Sequence, residues 1–430
     1  MIFVYSHTVT NRLIYTLDVI FKNVLKMEYQ LVDLETFKTD TSHAKLNYSG
    51  LDLENCVQVS PNNLLFDQRI ETQEIKVDWI DQIPYFFKTS KNSTFEYDIL
   101  ASTFYMTSRY EEYLPSGLDT HNRFQAKNSL AYKNDFLEIP VVNIWAVKLK
   151  NALSSKFPFT EFPTQEFKHI DTFDVDIAYS YRGKNKLRFL LSSILSILKI
   201  DREEIKNRCH YFIKKRKDPF DVYDKISSSS NKIFFFLLGN YGKYDKNISH
   251  KSTVLKNLVQ KLSSENEIGI HPSYGSHKSL KQLSKEKKRL EFISQKKTLK
   301  SRQHFLKFSL PETYENLISI GIKEDYSMGF ASQVGFRAGI CTPFLFYNLE
   351  KDRVTELIIY PFQVMDGTLN EYLKLSPNEA IEKINKIISE IKKVNGTFIS
   401  LWHNSSLSEQ KKWNGWTEVY EKLIKSASKK

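Results

Sequence analysis

The chain has 430 residues, of which 41% are hydrophobic and 26% charged; it is long enough for two domains of roughly 100–200 residues each and for a core that needs no staples, and its composition excludes a disordered chain. Its three cysteines, Cys56, Cys209 and Cys341, are far apart with no CxxC pair, which excludes a disulfide framework and a thiolate zinc knuckle and fits a reducing compartment. The net charge of +12 suits steering of an anionic partner such as a sugar nucleotide or an acidic glycan, or lysine on solvated helix faces such as 281–289, the favoured reading; no RNP, helix-turn-helix or zinc-finger pattern accompanies it, so no nucleic-acid partner is expected.

Residues 2–5 read as a strand and 12–26 have helical apolar spacing. The first residues lack a basic leader and are interrupted by Asn11 and Arg12, so they read as a strand and helix, not a signal peptide, and a cytoplasmic protein is expected. Residues 99–113 read as a buried helix with a charged end. Pro158 and Pro163 mark a boundary, giving a smaller α+β domain over 1–165 and a second domain over 166–430.

Strands are expected at 168–176, 231–238, 267–271, 304–308, 355–362 and 397–403. Helices are expected at 252–262, 280–295, 313–320, 377–394 and 416–428. Such alternation over ~250 residues predicts an α/β fold with a parallel sheet, a distorted (β/α) barrel, whose chemistry sits at the C-terminal strand ends. The apolar stretch 189–200 contains serines and a lysine and falls short of the ~20 residues of a membrane span. No transmembrane segment is expected, and Lys214-Lys215-Arg216-Lys217 after it leaves attachment to an anionic lipid surface open. The serine run 227–230 reads as a loop.

Four of these strands end in, or carry, reactive groups: Asp174 and Asp176, then His271, His304 and His403. Two carboxylates two apart on a strand share a face and repel, a cost that a cation relieves. His271 closes an apolar strand, and a neutral imidazole is a good ligand for zinc and similar metals. Residues 325–329 and 335–339 read as site loops. In the second, Arg337 suits a substrate carboxylate or phosphate as well as a structural bridge. Asp366 is a weaker candidate of the same kind, and Trp402, Trp413 and Trp416 are candidates to stack on a sugar ring or to pack in the core.

The order Thr172-Phe173-Asp174-Val175-Asp176, Gly269-Ile270-His271-Pro272-Ser273, Ser301-Arg302-Gln303-His304-Phe305 and Ser400-Leu401-Trp402-His403-Asn404 resembles the polysaccharide deacetylase family (carbohydrate esterase family 4) over about residues 168–430. The resemblance implies a metal-dependent hydrolase that deacetylates an N-acetylated sugar in polysaccharide biosynthesis. It implies Asp174 as general base, Asp176 and His271 as ligands of a divalent metal, zinc above all, Arg302 as the residue holding Asp174, and His403 as general acid. The family's second histidine falls four residues after the first, where this chain has Gly275. His304 or His277 is then the third ligand, with His304 favoured because strand-borne ligands are better positioned. The third motif lacks its proline, having Gln303-His304 in its place.

The carbohydrate substrate implied is anionic, or linked to a nucleotide or lipid carrier, given the cytoplasmic expectation and the positive charge. Residues 108–113 and 140–142 resemble an uncharacterised domain found ahead of such deacetylases. Arg109 and Glu111 there suit a structural pair. The alternative reading is a non-catalytic sugar-binding or scaffold protein that retains the fold.

Overall fold

The computed structural model describes residues 1–89, 93–183, 202–213, 216–226 and 231–428. The apolar stretch 189–200, Lys214 and Lys215 of the basic run, and the serine run 227–230 lie outside the described residues. Among the described residues no helix is long and apolar enough to cross a membrane.

The N-terminal part is built on β1 (Ile2–Ser6), β2 (Tyr29–Leu31), β3 (Ala44–Tyr48) and β4 (Val57–Gln58), in the order β2-β1-β3-β4 with every pairing parallel. This is an α/β arrangement where an α+β one was expected. Parallel neighbours need crossover connections, and the helical residues 11–25 and the helix Leu34–Thr39 supply two of them. A hairpin of β5 (Asp78–Ile80) and β6 (Ile83–Tyr85) follows. The helix expected over 99–113 divides. Ile99–Thr107 is α-helical, Arg109 turns left-handed at φ 54°, and a 3₁₀ turn runs over Tyr110–Tyr113. The break lets the Arg109 guanidinium reach Glu111 and Glu112, each at 2.7 Å.

The second sheet has nine strands among the described residues. In chain order they are β7 (Lys168–Val175), β8 (Asn231–Leu237), β9 (Glu267–His271), β10 (Lys300–Ser301), β11 (Glu324–Asp325), β12 (Phe344–Asn348), β13 (Arg353–Ile359), β14 (Val364–Met365) and β15 (Thr397–His403). Their spatial order is β12-β13-β11-β10-β9-β8-β7-β15-β14, parallel except for β12 on β13. The described ladder is open: β12 and β14 stand at its two ends, and no pairing between them closes a barrel. β7 and β8 are interior strands of the sheet, and β8 reads as a continuous apolar run from Ile233 because strands covered on both faces carry no polar alternation. The helix Pro377–Lys393 shows the complementary period. Ser376 and Glu379 form a capping box with proline at its start, and Ala380, Ile384, Ile387, Ile388 and Ile391 bury one stripe.

One sequence expectation fails near the site and a second holds with shifted bounds. Residues 304–308 do not form a strand: β10 is only two residues long, and His304–Leu306 is a 3₁₀ turn in which Phe305 (φ 61°) and Leu306 (φ 50°) are left-handed. The expected strand at 355–362 is β13, which ends at Ile359. One apolar cluster joins both parts of the chain, as in the ring contacts of Tyr15 and Phe104 with Tyr347 at 4.9 and 5.2 Å. Arg12 also pairs with Asp352 at 3.0 Å across them.

Candidate metal centre

Parallel strands deliver their C-terminal ends to one edge of the sheet. β7 carries Asp174 next to its end, and Asp176 follows one residue beyond it. β9 ends on His271, and β15 ends on His403, which stands opposite Asp174 in the register. Arg302 directly follows β10, His304 opens the turn after it, and Asp366 directly follows β14.

These side chains meet at Asp176. His271 Nε2 lies 3.2 Å from Asp176 Oδ1, His304 Nε2 lies 3.6 Å from Oδ2, and His403 Nε2 lies 3.8 Å from Oδ2. One donor atom each from Asp176, His271 and His304 falls within 4.8 Å of the others, a grouping able to hold a metal ion. The opposite nitrogen of every ring is anchored. His271 Nδ1 donates to the Arg302 carbonyl (2.6 Å), His304 Nδ1 to Asp245 (2.9 Å) and His403 Nδ1 to Asp366 (2.8 Å). Such anchoring sets ring orientation and directs the Nε2 lone pair of a neutral imidazole inward.

Asp174 is buried and held by Arg302. The Arg302 Nη1 donates to Asp174 Oδ1 (3.1 Å) and to Thr172 Oγ1 (2.7 Å), and its Nε donates to the Tyr326 carbonyl (2.9 Å). The guanidinium is fully buried, 4.7 Å from the Phe235 ring centre. Asp174 Oδ2 faces His271 Nε2 at 3.7 Å.

Charge balance follows from this packing. Burial favours the neutral acid at Asp176, and the imidazoles of His304, His271 and His403 outweigh it, holding the carboxyl well below the usual range. Burial likewise opposes the cationic form of His304, and Asp176 and Asp245 outweigh it, raising its pKa to about 9. The same contest at His403, with Asp366, Asp176 and Asp174 on the winning side, raises it to about 10. The space between these groups favours positive charge.

The donors fit a divalent metal. His271 Nε2 and Asp176 Oδ1 are both buried without a hydrogen-bond partner, a costly state for polar atoms that a coordinated cation would relieve. Two imidazole nitrogens and one carboxylate oxygen form the three-ligand type of site found in zinc hydrolases.

His277 is not part of the grouping: it sits on the turn Ser276–Lys278 and donates from Nδ1 to the Tyr274 carbonyl at 3.1 Å. A Cβ at Gly275 would meet nothing within 4 Å. Arg337 is a bridge, not a substrate ligand. It is buried and grips Glu112 with Nε (2.9 Å) and Nη2 (2.6 Å), because Glu112 arrives from the N-terminal part to neutralise it. Asp325 is also buried, accepting from Ser301 and Ser327, so residues 325–327 belong to the packing behind the site. Trp402 and Trp416 are core residues, while Trp413 lines the pocket. Asp366 turns out to hold His403 by both its ring and its backbone N–H (2.7 Å). Asp245, which anchors His304, had no distinguishing signal in the sequence.

The grouping stands in a cavity of about 580 Å³, within the range of small-ligand sites. Its walls include Phe305, Tyr372 and Trp413, with Arg123 arriving from the N-terminal part.

The protein so described is a mixed α/β chain with a candidate mononuclear metal centre at the strand ends of its larger sheet. A model for a family of unknown function (DUF7033) matches residues 2–158. No curated protein matches the chain. Among solved structures it is similar to a protein assigned as a polysaccharide deacetylase from Mycobacterium smegmatis, at 13% identity over 61% of this chain and 86% of the other, with a TM-score of 0.37. It is also similar to a mutant CE4-family pseudoenzyme with restored enzymatic activity, at 13% identity over 60% of this chain and 63% of the other (TM-score 0.28). A third likeness is to PuuE allantoinase, at 9% identity over 61% and 88% of the two chains (TM-score 0.34). At these identities and TM-scores the likenesses carry no inference about activity, and the chemistry rests on the chain's own site.

Proposed function

We propose that the chain is a metal-dependent hydrolase of carbohydrate amide bonds that removes the acetyl group of an N-acetylated sugar in polysaccharide biosynthesis. The observation that carries this reading is the meeting of Asp176, His271 and His304 beside a carboxylate held by an arginine and an imidazole held by a carboxylate. A divalent metal, zinc in this reading, held by those three residues would polarise the acetamide carbonyl and acidify a water.

Asp174 is the general base, its Oδ1 fixed by Arg302 and its Oδ2 turned to the His271 side to receive the proton of the attacking water. His403 is the general acid. Asp366 fixes its Nδ1, and its Nε2 faces the pocket to protonate the departing amine. Arg302 is a positioning residue for Asp174. The rings of Phe305, Tyr372 and Trp413 supply apolar surface for a sugar. We assign residues 1–165 and 166–430 to two domains. In a cytoplasmic setting the substrate is a nucleotide- or lipid-linked precursor.

The test is acetate release by the purified chain, loaded in turn with Zn²⁺, Co²⁺ or Mn²⁺, from β-1,4-linked N-acetylglucosamine oligomers and from a nucleotide-linked N-acetylhexosamine. Metal-dependent acetate release that Asp174→Asn abolishes supports the reading. Stoichiometric metal binding without release from any of these substrates overturns it.

A further inference from the structure

His271 and His403 are the last residues of β9 and β15, strands of five and seven residues, so the sheet itself aims them. His304 has no such support. It stands three residues beyond β10, a strand of two residues, in a turn whose next two residues are left-handed although neither is glycine. Left-handed backbone is unfavourable for side chains with a Cβ and persists only where surrounding contacts over-determine it.

The larger sheet's side supplies some of those contacts, with the His304 N–H donating to the Pro272 carbonyl (3.2 Å) and the Tyr244 and Tyr274 rings packing on Phe305; the contact to the Phe305 carbonyl comes from the N-terminal part. Arg123, only 8% exposed, donates from Nη1 to the Phe305 carbonyl at 2.7 Å, inside the left-handed stretch. Its Nε is held by Asp119 (2.7 Å) and its Nη2 donates to Tyr372 (3.3 Å). Asp119 also accepts the backbone N–H groups of His121 and Arg123, and Leu118 bridges Phe124, so the loop also makes contacts of its own. The His121 ring packs 5.1 Å from the Phe305 ring, and its Nδ1 shares a hydrogen bond of 3.1 Å with the Tyr274 hydroxyl. The Tyr274 N–H in turn donates to the same Asp245 oxygen that anchors His304.

We propose that the N-terminal part positions the third metal ligand: Arg123, by clamping the Phe305 carbonyl, holds the turn that aims His304 at Asp176. Arg123 is a positioning residue. The inference rests on the metal-centre reading above.

The experiment is Zn²⁺ titration by calorimetry on the full-length metal-free chain, alongside its melting temperature. Arg123→Ala is expected to weaken Zn²⁺ binding by about 10-fold or more, the range lost when outer supports of a ligand are removed. Co²⁺ bound to this variant is expected to show an altered d–d absorption spectrum. Arg123→Lys, which keeps one donor for the Phe305 carbonyl, is expected to restore part of the affinity. Arg12→Ala is the control. It breaks the Arg12–Asp352 pair between the same two parts away from the site, and is expected to lower the melting temperature while leaving Zn²⁺ affinity unchanged. Should Arg123→Ala fail to fold, Asp119→Asn gives the same readout, with an expected loss of affinity. Equal Zn²⁺ affinity in wild type and the Arg123 or Asp119 variant overturns the inference and leaves the metal reading standing, as does equal weakening by Arg12→Ala. A wild-type chain that binds neither Zn²⁺ nor Co²⁺ overturns the metal reading and the inference with it.

Discussion

His271 Nε2 lies 3.2 Å from Asp176 Oδ1, and both atoms are buried without a hydrogen bond. A buried polar atom left unsatisfied costs about 1–3 kcal/mol, and here two such atoms face one another. A folded chain sustains that arrangement when something else satisfies both. A cation between them does so, with His304 as the third donor.

The first prediction concerns that ion. Substituting Asp176, His271 or His304 by alanine is expected to lower Zn²⁺ affinity by at least about 100-fold, because a three-ligand site loses a direct bond. His277→Ala is expected to leave it unchanged, since that ring is turned to the Tyr274 carbonyl. Metal content after dialysis, read by mass spectrometry, decides the matter: a His277 variant that loses metal while the His304 variant keeps it would reverse the ligand assignment.

Asp174 and Arg302 form a buried pair whose halves are expected to differ in effect. Asp174→Asn is expected to keep the metal and lose about 10²–10⁴-fold in kcat, the usual worth of a general base. Arg302→Met strands the Asp174 carboxylate and is expected to cost about 3–5 kcal/mol of stability in urea unfolding. The double variant is expected to be more stable than the two single effects added together, because the stranded charge is gone. Strict additivity would count against coupling through this pair.

At His403 the sign of the pH effect is set by Asp366. The protonated ring is the acid, so activity falls as pH rises through its pKa, which Asp366, Asp176 and Asp174 raise against the opposing effect of burial. Asp366→Asn removes one of those charges. The alkaline limb of kcat/KM is expected to move to lower pH, with kcat reduced about 10-fold or more through the lost orientation of the ring. A limb that stays where it was would remove His403 from the acid role.

Asp171, fully buried on β7, offers a test of stability alone. Burial raises its pKa to about 7, against the weaker opposing effect of hydrogen bonds from Tyr420 (2.7 Å) and Ser400 (3.0 Å). The unfolded chain titrates this group near ~3.9. The folded state therefore holds the proton more tightly. Its contribution is fully present below about pH 4 and is lost as pH rises toward about 7. Asp171→Asn is expected to flatten urea-unfolding stability across that window, by an amount on the order of a few kcal/mol at the neutral end. An unchanged slope in the variant would show that Asp171 does not carry the linkage.

Much of the larger sheet was legible because its strands are short, apolar and separated by helices of clear period. β7, β8, β9 and β15 lie where the apolar runs and the reactive residues at their ends placed them. The turn at His304 was misread as a strand because Phe305, Leu306 and Phe308 carry the right residue types. Nothing local announces that Phe305 and Leu306 are left-handed, since the Arg123 contact that accompanies that conformation lies 182 positions away. Arg337 was ambiguous for a similar reason: the choice between a substrate anion and Glu112 depends on a residue 225 positions earlier.

The sequence by itself determined the reactive inventory and its place at strand ends: Asp174, Asp176, His271 and His403 arrive there because apolar runs must be buried and polar groups must stop at their edges. Only the tertiary structure decided which histidine completes the grouping, that Asp245 and Asp366 anchor the rings of His304 and His403, and that Arg123 meets the Phe305 carbonyl in the turn that carries His304. The physical reason is range. Burial and periodicity act between residues a few positions apart, whereas the Asp245–His304 bond spans 59 positions and the Arg302–Asp174 bond 128, and strand order together with loop packing brings them together.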